Sequence, residues 1–169
     1  MKKLIASLLV GALIVQPPPV LATETPDAEL QEHLFLADVI EQLGVKINYG
    51  GAECRANRGL YGNYYPNGSV MNLCEVGDRD ERLDTFRHEA FHVYQDIRDC
   101  NIKDDTALKP VFSNGAASRE FIALAAKHYD KADIAFEAEA YWAAHTFTAA
   151  SIGNLIVQRA EQCGFKFNF

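Results

Sequence analysis

The chain predicts an α+β domain, because segments of helical periodicity stand toward both ends while short β-like runs, punctuated by glycine and proline, lie between them. Size is the third constraint. Its 169 residues, 49% of them hydrophobic, suit one ordinary core, and no internal repeat or low-complexity tract divides them.

Residues 1–22 read as a secretory signal peptide. Lys2 and Lys3 precede an apolar run from Leu4 to Val15 that is broken only by Ser7 and Gly11 and is too short to span a bilayer. Val20 and Ala22 supply the small-residue pattern for cleavage after Ala22, and Pro17-Pro18-Pro19 would end a helix that tried to persist as an anchor. The expectation is therefore a domain over 23–169, secreted or periplasmic, with no stable membrane insertion once the signal is removed. Cleavage removes two lysines and no acid, so the formal charge of −7 becomes −9. So acidic a chain, without a Lys/Arg cluster, is a poor partner for nucleic acid or an anionic membrane. Cys54, Cys74, Cys100 and Cys163 all fall in the exported part, where oxidising conditions favour disulfides.

Each element has its own signal. Thr25-Pro26-Asp27 opens a helix with proline at its first position, Leu30, Leu34, Ala37, Ile40 and Leu43 continue it at helical spacing, and Gly44 stops it. Three β-like runs follow at 45–49, 60–65 and 70–74, separated by Gly50-Gly51 and by the turn Pro66-Asn67-Gly68. That turn predicts an antiparallel hairpin of the last two runs, which brings Cys54 and Cys74 near the ends of neighbouring strands and makes them a first disulfide pair. A helix over about 80–99 has Leu83, Phe86, Ala90, Val93, Tyr94 and Ile97 on its apolar face. The segment from Cys100 to Gly115 reads as a loop, and helices resume at 116–129, 133–148 and 151–163. A Cys100–Cys163 bridge would staple the last helix onto the helix of 80–99.

That helix carries His88-Glu89-Ala90-Phe91-His92, the HExxH pattern, with two imidazoles one turn apart and a carboxylate beside them. Neutral imidazole nitrogens suit Zn²⁺, the i, i+4 spacing lets both reach one ion, and Glu89 can take a proton from water. A catalytic zinc needs a third protein ligand. The extension HExxHxxGxxH fails here, since Gln95 stands at the glycine and Arg98 at the third histidine. Glu137 and Glu139, in the otherwise apolar Phe136-Glu137-Ala138-Glu139-Ala140, are the downstream candidates. Two positions apart on a helix, they point roughly 160° away from each other, so at most one can face the metal.

The two segments together resemble the gluzincin-type HExxH zinc metallopeptidases, a zincin-like superfamily in which the third ligand is often the first Glu of an ExEA-type helical segment. The likeness covers about a tenth of the chain. It implies a small zincin-like domain with His88, His92 and Glu137 as zinc ligands and Glu89 as general base, and it leaves Glu139 as the alternative ligand. Such relatives frequently carry Asp or Asn four residues after the ligand Glu to orient a zinc-bound histidine, whereas this chain has Tyr141 there. The resemblance also implies that the strand before the motif helix, here 70–74, lines a cleft and contacts an extended peptide, Asn72 included. Tyr94, Tyr141, His128 and His145 are candidates for stabilising an oxyanion.

The expected function is thus a secreted zinc-dependent metallohydrolase acting on peptide or protein. Hydrolysis of a non-peptide amide is compatible with the same motif. An inactive zincin-like binding or inhibitor module, or a structural zinc protein, is the other class, and the intact Glu89 weighs against it.

Overall fold

The computed structural model of the chain describes residues 26–100, 110 and 119–169. The signal peptide of residues 1–22 and most of the loop expected after Cys100 lie outside the described residues. Within them the architecture is α+β, in the order α1 (Pro26–Gln42), β1 (Lys46–Tyr49), α2 (Ala52–Ala56), β2 (Gly62–Tyr65), β3 (Val70–Leu73), α3 (Arg79–Asp96), α4 (Arg119–Ala125), α5 (Ile134–Thr146) and α6 (Ala149–Gln162).

Helix α3 is the organising element. Asp78 caps it by accepting from the Glu81 amide at 3.0 Å while the Glu81 carboxylate accepts from the Asp78 amide at 2.8 Å, a reciprocal pair that satisfies two otherwise orphaned donors. Its start at Arg79 therefore follows from an Asp-x-x-Glu signal in the sequence. On one side it buries Phe86, Ala90, Val93 and Ile97 against Leu36, Val39 and Ile40 of α1, Ile47, Tyr64 and Met71 of the sheet, and Ile152 and Ile156 of α6. On the other side Phe91 meets Ala140 and Ala143 of α5, the small residues that let the two helices approach closely. Removing a fully buried phenylalanine of this kind costs about 3–5 kcal/mol.

The sheet has the order β1-β3-β2, with β3 parallel to β1 and antiparallel to β2. The expected hairpin is present. The parallel pairing of β1 is not legible in the sequence, because no turn signal joins it to β3. Alternation puts Ile47, Met71 and Tyr64 on the core face and Asn48, Asn72 and Asn63 in register on the other. There Asn72 accepts from Asn48 at 3.0 Å and donates to Asn63 and to Glu53 of α2, each at 2.9 Å.

Both expected disulfides form: Cys54–Cys74 holds α2 on this polar face, and Cys100–Cys163 joins the chain after α3 to the end of α6. Such bridges accord with an oxidising environment. No helix among the described residues is long and apolar enough to cross a membrane. The helix expected over 116–129 ends at Ala125, with 116–118 outside the described residues, and a run of turns then carries His128 and Tyr129.

Candidate metal centre

The i, i+4 spacing on α3 aims His88 and His92 at α5, and the Phe91 contact fixes how near α5 comes. The two Nε2 atoms lie 3.1 Å apart, and Oε2 of Glu137 is 3.1 Å from His88 Nε2 and 3.4 Å from His92 Nε2. All three side chains are buried, and together they form the group of ligand atoms able to hold one metal ion. The spacing fits such an ion, since four tetrahedral donors at about 2.0–2.1 Å from a centre lie about 3.3 Å from each other. Two imidazoles and one carboxylate are also the donor chemistry of an open divalent site.

The second glutamate goes elsewhere. Glu139 is only 2% exposed, so it is not a solvated helix charge, and it accepts from Gln95 Nε2 at 2.8 Å instead of joining the ligand group. Gln95 in turn accepts from His92 Nδ1 at 2.7 Å. Tyr141 packs its ring against His88, centroids 4.5 Å apart, where a hydrogen-bonding Asp or Asn was the pattern to compare.

Charge and burial set the proton affinities. Burial alone would lower His92, but the facing Glu137 carboxylate outweighs it and carries His92 up to about 9. Burial would raise Glu137, and the imidazoles facing it reverse the sign, holding it down to about 2. For His88 burial wins and its value is lowered despite its hydrogen bond to the Glu137 carboxylate. Burial also lifts Glu89, against the pull of His92 and with the push of Glu137, to about 7.

A cleft of about 640 Å³ opens beside this group and reaches it at His88. His88 and Glu89 form part of its lining, with Tyr129, Tyr141, His128 and His145 on one wall and Leu60, Tyr61 and Gly62 on the other. Of the four residues expected as oxyanion donors, Tyr94 packs its ring against Phe91 and does not line the cleft. Tyr129 belongs there too and hydrogen-bonds with Tyr141. The expected substrate strand also needs correcting. β3 is central and paired on both sides, and Asn72 is tied up by Asn48, Asn63 and Glu53, so neither can meet a peptide. β2, by contrast, is at the sheet edge and has Gly62 in the cleft wall.

Sequence reasoning passed over Gln95 and Tyr129 as site residues. Gln95 stands three residues after His92, a helical neighbour position, which was its available signal. No protein-family model, curated protein or solved structure matches this chain.

Proposed function

We propose that the chain is a zinc-dependent hydrolase of the gluzincin type, exported from the cell, whose most natural substrate is a peptide bond. The observation that carries this reading is the convergence of His88, His92 and Glu137 on one point beside a cleft that His88 and Glu89 line. Zn²⁺ held by those three residues would supply Lewis acidity, polarising a carbonyl oxygen and acidifying water.

The protein's own groups account for the rest of the chemistry. Peptide hydrolysis adds water to the carbonyl carbon, breaks the C–N bond and moves a proton from the water to the leaving nitrogen. Glu89 is the carboxylate placed to carry that proton, and a value near 7 suits it to accept and then release it. In the Tyr129–Tyr141 pair one phenolic proton is used between the rings, which leaves the other to donate to a developing oxyanion. An extended substrate pairing with β2, the outer strand of the sheet on the cleft side, would run past Glu89.

A structural zinc would want a fourth protein ligand, and the ligand group among the described residues has three. The test is metal analysis together with Glu89→Gln. The exported domain should hold about one Zn²⁺ per chain. Glu89→Gln should keep the zinc and lose hydrolysis of a peptide library, whereas Glu137→Ala should lose the metal and Glu139→Ala keep most of it. A chain without metal, or full activity in Glu89→Gln, overturns the proposal.

A further inference from the structure

Gln95 sits one turn beyond His92 on α3, fully inside the protein, and each end of its amide has a fixed task. Nε2 donates to Glu139 Oε2 at 2.8 Å and to the Phe136 carbonyl at 3.0 Å, while Oε1 faces His92 Nδ1 at 2.7 Å. The amide has one workable orientation, because turning it over would set its oxygen against a carboxylate and a carbonyl, neither of which has a proton to give. Its oxygen therefore has to face the imidazole. His92 must carry a proton on Nδ1, so Nε2, which faces Glu137 and His88, is the nitrogen left to meet a metal. His88 lacks any such brace: its Nδ1 is buried without a hydrogen-bond partner among the described residues, and its ring packs on Tyr141.

We propose that Gln95, braced by Glu139 and the Phe136 carbonyl, is the positioning residue that fixes the tautomer and orientation of His92 and so makes His92 the anchoring ligand of the metal. The inference rests on the metal-site reading above. It adds that the hydrogen-bonded support stands behind the second histidine of the motif and is recruited from the glutamate that is not a ligand.

Zinc affinity, measured by competition with a chelator, is the readout. Gln95→Leu should weaken it by about 10- to 100-fold. Because that change takes a hydrogen-bond donor away from the buried Glu139 carboxylate, the double variant Gln95→Leu/Glu139→Leu is the control for fold: removing both partners should recover thermal stability of the metal-free protein relative to Gln95→Leu while affinity stays low. Glu139→Gln, which still offers an acceptor to Gln95 Nε2, should bind zinc much as the parent does. In zinc-loaded protein a ¹H–¹⁵N correlation should show a protected Nδ1–H on His92 that is lost in Gln95→Leu. Parent-like affinity in folded Gln95→Leu, or affinity that returns with stability in the double variant, would overturn the inference and leave the metal site standing. A parent chain that takes up no zinc would remove the site reading and this inference together.

Discussion

His92 and Glu137 meet at 3.4 Å in a buried setting, where the charge of each decides whether the other keeps its proton. With His92 carried up to about 9, the metal-free protein holds a proton on it at neutral pH, and a metal has to displace that proton. His88 is lowered below its ordinary 6.5 and is already a free donor there. The sign follows directly. Zinc affinity should rise about tenfold per pH unit from about 6.5 to about 9 and then level off, since protonated His92 cannot bind while deprotonated His92 can. Calorimetry at pH 7.5 in buffers of different ionisation enthalpy should detect about one proton released per zinc; none released would mean that Glu137 does not charge His92. The proposed hydrolysis would have its own limb, because Glu89 must be ionised to act as its base. Activity should therefore increase with pH up to about 7, and the adjoining cation can only move that limb downward.

At the scale of elements, the approach of β2 to α3 is set by one missing side chain. A Cβ on Gly62 would stand 2.8 Å from Thr85 Cγ2, 3.0 Å from Glu89 Cγ and 3.2 Å from the Asn72 carbonyl, and the last of these cannot swing away. Gly62→Ala should therefore push the strand off the helix at a cost of about 1–3 kcal/mol, and it should lower kcat because Glu89 is one of the groups displaced. Denaturation and peptide hydrolysis measured side by side would check this, and parent-like values in both would refute the close approach. None of this was legible in the sequence, where Gly62 is one glycine among many. Helical periodicity, the Pro66-Asn67-Gly68 turn and the HExxH spacing are local signals, and the elements they predict are present, β2 and β3 paired and His88 and His92 on one face. What stayed hidden depends on distant pairing: β1 lying parallel to β3, β2 rather than β3 at the edge, and Asn72 committed to a ladder across the sheet. The two glutamates show the boundary well. Helix geometry indicated that one at most could face a metal, but only the packing of α5 on α3 determines that Glu137 meets the two histidines while Glu139 finds Gln95.

For the whole molecule, the Cys100–Cys163 bridge links positions 63 apart and ties the end of the motif-helix segment to the end of α6. Replacing both cysteines by serine should lower unfolding stability by about 4 kcal/mol through the longer loop freed in the unfolded chain. The charge of the molecule makes a prediction about substrates. The chain carries −7 overall, and the cleft lining includes Glu81 and Asp84 but neither lysine nor arginine among the described residues. A substrate entering that field is attracted if cationic and repelled if anionic, and the low-dielectric walls of Tyr61, Leu124 and Tyr129 sharpen the difference. Two peptides identical except for lysine or glutamate beside the scissile bond should then differ in kcat/KM by about tenfold or more at low salt, in favour of lysine. Because the Debye length falls from about 30 Å at 0.01 M to about 3 Å at 1 M, the ratio should shrink toward one as salt is added. Equal rates at low ionic strength would show that the acidic lining does not act on substrate, and a preference that survives high salt would point to direct contact with Asp84 or Glu81 in place of a long-range field.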